Sequence, residues 1–240
     1  VYKDSNERTQ DYLGNFEENE VLKKLVGKTA PVVVDVGANV GQSAHKIKNI
    51  WPNSVIHCIE PMEEQYKTLE RKTRHYTDVR TYNTALGSWD GPRTFYINEH
   101  QNMLSGFYEL NPESKDSVAL NKPERAHDNF LNTQETIVDC ITLDNWAILN
   151  EINNIDLLKM DAQGAEPDIL RGGREILKNT RVIVTELMFY DLYKKKNSFY
   201  EVESTLIPLG FELFDIGHVS KNPLTGRTDW VDVVYRNTNV

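Results

Sequence analysis

Pro31-Val32-Val33-Val34-Asp35-Val36-Gly37-Ala38-Asn39-Val40-Gly41 passes from an unbroken β-branched run into a glycine-punctuated bend. A continuous apolar run suits a strand buried on both faces, as in a parallel sheet. Gly37 and Gly41 allow close backbone approach, and the free N–H groups at a following helix start can meet an anion. Val40, Ala44, Ile47 and Trp51 recur at helical spacing, so a helix follows the bend.

The same alternation continues outward. Val55 to Ile59 reads as a second strand ending at Glu60, and Met62, Tyr66 and Leu69 give the next helix its apolar stripe. Val79 to Leu86 contains a third strand before a turn at Gly87. Upstream, Phe16, Val21, Leu22 and Leu25 predict a helix, while residues 1 to 14 are polar. Downstream, Ile155 to Met160 forms a fourth core strand reaching Asp161, and Val182 to Thr185 a fifth ending at Glu186. Ile169, Leu170, Ile176 and Leu177 line one helix between them; Phe199, Val202, Leu206 and Leu209 line another, closed by Gly210. Phe211 to Ile216 and Val231 to Tyr235 are the last two strands, an antiparallel pair around Asn222-Pro223 and Gly226. Strands alternating with helices indicate an α/β domain: an open, mostly parallel sheet with helices on its faces.

The middle departs from this pattern. Residues 92 to 97 predict an extra strand, Thr136 to Thr142 another, and Leu143, Trp146 and Leu149 a short helix. Residues 98 to 135 between them are polar and weakly periodic. A loop of this length is either functional or a flexible insertion, and two readings stand: a mobile cover over a site, with Tyr96, Met103, Ser105 and Phe107 as its contacts, or plain insertion. No linker divides the chain, so one domain is expected over 1–240, with a helical extension at 1–29 and a core at 30–236.

A net charge of −9, with compact basic patches only at Arg71–Arg74 and Lys194–Lys196, argues against a nucleic-acid surface. No apolar run is long enough to predict membrane insertion. Cys58 and Cys140 lie in strand-like runs, as buried thiols do, and a reducing cytoplasmic setting follows as the expectation.

Ligands of open α/β sheets bind beyond the carboxyl ends of the strands, and here those ends carry Asp35, Glu60, Asp161 and Glu186. Helix capping accounts for Asp35 or Asp161 singly; Glu60 before Pro61 is less well explained that way. The dinucleotide fingerprint G-x-G-x-x-G is poorly met, since Asn39 and Gln42 stand where its second and third glycines belong. Asp35 to Gly41, Glu60-Pro61, Asn83-Thr84-Ala85-Leu86-Gly87, Leu158 to Glu166 and Leu170-Arg171-Gly172-Gly173, followed by Thr185-Glu186, resemble in order the motifs of the FkbM family of methyltransferases. The likeness spans roughly residues 30 to 236.

That resemblance implies a Rossmann-like class I methyltransferase fold, with a seven-stranded mostly parallel sheet and an antiparallel final strand. It also implies S-adenosylmethionine as cofactor and O-methylation of a hydroxyl, commonly on a sugar or glycan; a non-sugar natural product is the alternative acceptor. A nicotinamide oxidoreductase and a noncatalytic binding module share the architecture. The expected cofactor contacts are Asp35, Gly37, Ala38, Asn39, Gly41, Gln42, Glu60, Pro61, Asn83, Ala85 and Asp161, with Glu60 accepting ribose hydroxyls. For the acceptor and its proton the order is Asp161, then Glu186, then His218 on a loop after the sixth strand; His100 and His127 come into reach only if the middle segment folds over the site. If a divalent ion takes part, Asp161 and Glu186 are its candidate oxygen ligands, with Glu166 nearby. The family often has Glu where this chain has Gln163, and a neutral amide supplies hydrogen bonds rather than charge.

Overall fold

The computed structural model describes residues 5–8, 10, 18–98, 102–112, 133–189, 191–195, 199–222 and 225–240. The expectations placed on Phe16, His100, His127, Lys196 and Pro223, and on most of the middle segment, lie outside them.

A helix, α1 (Glu18–Val26), precedes strand β1 (Val32–Val36). There follow α2 (Gln42–Ile50), β2 (Val55–Ile59), α3 (Glu63–Thr73), β3 (Val79–Tyr82), β4 (Ala85–Gly87) and β5 (Gly91–Asn98). A 3-10 turn at Asn102–Leu104 leads toward β6 (Thr133–Thr142), then α4 (Leu143–Leu149) and β7 (Ile155–Met160). The last part holds α5 (Glu166–Arg171), α6 (Arg174–Leu177), β8 (Thr180–Met188), α7 (Phe199–Leu206), β9 (Phe211–Lys221) and β10 (Thr228–Asn237).

Seven strands form one sheet in the order β3-β2-β1-β7-β8-β10-β9, in which only β10 runs antiparallel to its neighbours. The order reverses between β1 and β7, which opens a crevice at their carboxyl ends. Val33, Ile56, Leu157 and Val182 pack under α1 to α3 on one face. Val34, Leu158 and Ile183 on the other face meet α4 to α7. The alternation along each strand thus feeds two cores, which is why these strands read as unbroken apolar runs.

The single strand expected over 79–86 is two strands in different sheets. Asn83 interrupts it: its side-chain amide donates to the carbonyls of Glu60 and Pro61, both at 3.0 Å. β4 leaves the main sheet to join a small second one in the order β4-β6-β5. The single helix expected over 169–177 is likewise divided. A Cβ at Gly172 would lie 2.0 Å from the Gly87 carbonyl oxygen, and one at Gly173 2.6 Å from a Leu143 methyl, so the chain must be bare where it crosses β4 and α4. Asp144 then caps α6, accepting from the N–H groups of Glu175 and Ile176.

Several strands run longer than the sequence suggests, among them β10, which begins at Thr228 and so takes in Trp230. β8 continues past Glu186 to Met188 because β10 pairs with it there, Asp232 opposite Glu186 and Trp230 opposite Met188. β9 extends to Lys221, with Val231 facing Val219 and Val233 facing Ile216. Three steps on one strand against two on the other make a bulge at Gly217-His218.

Candidate functional site

A cavity of about 700 Å³ opens at the carboxyl ends of β1, β2 and β7. That size suits a nucleotide-sized ligand with room beside it. Its floor is the bend after β1. Gly37 has φ +76°, and a Cβ there would stand 2.0 Å from the Asp161 carbonyl oxygen, so β1 and β7 can meet this closely only through glycine. Asn39 follows with φ 47°, a left-handed conformation that its short amide tolerates.

Glu60, 2% exposed, holds this bend. Its Oε2 accepts from the Asn39 N–H at 2.8 Å, and Oε1 from the Met62 N–H at 2.9 Å. Each oxygen keeps a further lone pair, and the residue lines the cavity. Burial raises its carboxyl to about 7, the two backbone donors working against that rise.

A charged layer lies behind. Asp35 sits opposite Lys159 in the register, Glu186 lies two residues beyond Lys159's neighbour Val184, and Asp232 faces Glu186. Residues in register share a face of the sheet, so these side chains gather on one side. Asp35 is fully buried, and the Lys159 ammonium stands 3.3 Å from it. Burial lifts the Asp35 carboxyl above its ordinary range, with Lys159 pulling down. Burial opposes the charge on Lys159, but Asp35 and Asp161 outweigh it and hold the ammonium above the usual lysine value. Burial raises Glu186 to about 8, with Asp161, Glu166 and Asp232 adding to the rise and Lys159 countering it.

The loop after β7 carries the fourth side of the site. Glu166 folds back beneath it, Oε1 accepting from the Ala162 N–H at 2.8 Å; burial raises its carboxyl to about 7 against the pull of its backbone donors. It is 5% exposed and holds the loop from behind, outside the cavity lining. Gln163 takes a left-handed backbone, φ 51°, before Gly164 at 91°. Its amide contacts Asp161 and Tyr193.

Asn102, Met103, Leu104, Ser105 and Phe107 close the cavity from above. They reach it because Tyr96 and Gly106 exchange backbone hydrogen bonds, turning the chain back over β5. Tyr96 contributes through its backbone and is outside the lining. Asp168, 4% exposed, ties this cover down: it accepts from the Tyr108 hydroxyl, from Arg171 and, at 3.0 Å, from Lys195. The far wall holds Met188, Leu192, Asp229 and Trp230.

Of the expected cofactor contacts, Gly37, Ala38, Asn39, Gln42, Glu60, Pro61, Ala85 and Asp161 line this one cavity. Asp35, Gly41 and Asn83 do not. Asp35 stands behind Lys159, which itself lines the cavity, Gly41 packs against Leu69 and Thr73, and the Asn83 amide is spent on the Glu60-Pro61 backbone. Asp161 and Glu186 meet in the cavity, though Glu186 lies within its strand rather than at its end. His218 is part of β9 rather than a following loop; it is exposed at the bulge and outside the lining. Among the described residues no three His, Cys, Asp or Glu side chains converge as a metal site would require. Lys159, Tyr193, Asp229 and Trp230 went unnoticed in the sequence. Only Lys159 carried a signal, a charge inside the apolar run Leu157 to Met160.

Comparison with known proteins gives a consistent picture. The family model described as "Methyltransferase FkbM domain" matches residues 35–213. The chain is 27% identical over 184 residues to the 2-O-methyltransferase NoeI of Sinorhizobium fredii, covering 72% of this chain and 70% of that protein. It is 25% identical over 196 residues to Methyltransferase 1 of Beauveria bassiana, covering 75% and 71%. Among solved structures, the methyltransferase FkbM of Methylobacillus flagellatus shares the fold with a TM-score of 0.51 at 14% identity. The match covers 87% of this chain and 44% of that one.

Proposed function

The chain belongs to the FkbM methyltransferase family, and from that premise we propose that it transfers the methyl group of S-adenosylmethionine to a hydroxyl of a sugar or glycan-containing acceptor. The observation that carries this reading is that one cavity is lined by both the Gly37–Asn39 bend with Glu60 and the acid pair Asp161 and Glu186. The first set suits a nucleoside, the second a cation and a hydroxyl.

Glu60 uses its remaining lone pairs for the ribose hydroxyls. The backbone from Gly37 to Asn39 and the start of α2 face the methionyl carboxylate. The acids make the cavity favourable to a sulfonium, which carries positive charge into the site and supplies the methyl group. Asp161, which lines the cavity on the loop after β7, would stand beside the methyl group and orient the acceptor. The bound cofactor would supply an electrophilic methyl group, its sulfur keeping the electrons of the bond to carbon. The hydroxyl proton passes to Glu186, whose raised pKa lies close to the working pH a general base needs. The sugar is supported by the far wall. Trp230 offers an apolar plate to the C–H face of a pyranose, and Asp229 an acceptor for its hydroxyls.

Isothermal titration with S-adenosylmethionine and NAD, followed by transfer of labelled methyl groups to a glycan panel, tests this. Binding of S-adenosylmethionine alone, with label on a glycan, is expected. Binding of NAD alone overturns the cofactor, and label confined to non-sugar hydroxyl compounds overturns the acceptor class.

A further inference from the structure

Gln163 and Tyr193 form a short relay ending on the cavity carboxylate. The Gln163 Nε2 donates to Asp161 Oδ1 at 2.8 Å, and the Tyr193 hydroxyl donates to Gln163 Oε1 at 2.9 Å. An amide has a donor end and an acceptor end that can be exchanged by a flip. Asp161 removes that freedom, because an ionised carboxylate only accepts and so takes the donor end. The acceptor end is left to the Tyr193 hydroxyl, which holds the amide in place from its far side.

The surroundings fix both partners. Tyr193 is 3% exposed, and its backbone bridges to Leu110 in the cover segment. Gln163 stands on a left-handed backbone that a non-glycine residue adopts only when its neighbours hold it there. One of those neighbours is Gly106, where a Cβ would come within 3.3 Å of the Gln163 carbonyl oxygen. The bend after β7, the cover and the segment after β8 thus converge on a single amide. Asp161, by contrast, is exposed and lines the cavity.

We propose that Gln163 and Tyr193 are positioning residues that aim the Asp161 carboxylate at the sulfonium methyl, and so set how strongly the site prefers the charged donor to its neutral demethylated product. This rests on the reading above, in which Asp161 lies beside the reacting atoms. A carboxylate turned away would still leave the nucleoside contacts of Glu60 intact. The relay therefore acts on the ligand's charge rather than on its adenosine.

The test compares binding of S-adenosylmethionine and S-adenosylhomocysteine, which share every group except the sulfonium methyl. Gln163→Met keeps the side-chain length and loses both hydrogen bonds; Tyr193→Phe keeps the ring and loses the hydroxyl that bonds Gln163 at 2.9 Å and reaches the Leu104 carbonyl at 3.4 Å. Both are expected to lower the preference for S-adenosylmethionine about fivefold, the scale of one ordinary hydrogen bond. Affinity for S-adenosylhomocysteine and the thermal midpoint should stay close to the parent's. Equal weakening for both ligands means a merely structural role and overturns the proposal. Asp161→Asn separates the two ideas. If it leaves the preference unchanged, the placement of Asp161 fails; if it lowers the preference while Gln163→Met does not, the relay fails.

Discussion

Glu186 shows what burial among like charges costs a single residue. Its folded-state carboxyl lies near 8 against an ordinary 4.5, so the folded chain binds a proton that the unfolded chain releases. Where the native state holds more protons, stability falls as pH rises. The loss begins near the unfolded value and continues up through the folded one, between about pH 4.5 and 8. Glu186→Gln removes this dependence. The variant should be more stable than the parent at pH 8 by ~4 kcal/mol, with the difference shrinking toward pH 5. Urea unfolding at both pH values checks it, and an unchanged difference would mean that Glu186 is not buried among like charges. Methyl transfer should fall in the same variant, the usual exchange of stability for activity at a strained site.

At the scale of elements, helix α5 does two jobs. Its apolar residues Ile169 and Leu170 fill the core, while Asp168 reaches into the rim and gathers Tyr108, Arg171 and Lys195. Asp168→Ala leaves two cations and a phenol without their shared acceptor. Arg171 and Lys195 are half-buried and regain water, so the loss costs ~1–2 kcal/mol, and the thermal midpoint should drop accordingly; a change within error would show the cluster to be dispensable. None of this was legible in the sequence, because the three elements that meet at Asp168 are distant along the chain. What periodicity conveyed was local: β1, β2 and β7 were readable from runs that need burial on both faces. The splitting of 79–86 and of 169–177 was not, since each depends on a close crossing that only tertiary packing creates. The site was legible in the same uneven way. Gly37, Glu60 and Asp161 follow from strand ends, whereas Trp230 and Tyr193 come from strand extension and from a segment with no period at all.

Seen whole, the seven-stranded sheet ends in two edge strands, β3 and β9, and they are unequal. β3 is four residues long, too short to template much. β9 runs for eleven, with Leu213, Phe214, Ile216 and Val219 all exposed. An edge of that length and character invites another chain to add itself, strand to strand. The Gly217-His218 bulge stands in the middle of it. By inserting one unpaired residue, it interrupts the outward row of N–H and C=O groups at its middle, between two further register shifts toward the strand's ends. Deleting Gly217 should straighten this central stretch and shift the protein toward concentration-dependent assemblies, visible by light scattering at tens of degrees below unfolding. Scattering identical to the parent's would mean that the bulge does not guard this edge. A feature with no part in the chemistry thereby bears on whether the protein can be kept at the concentrations its chemistry requires.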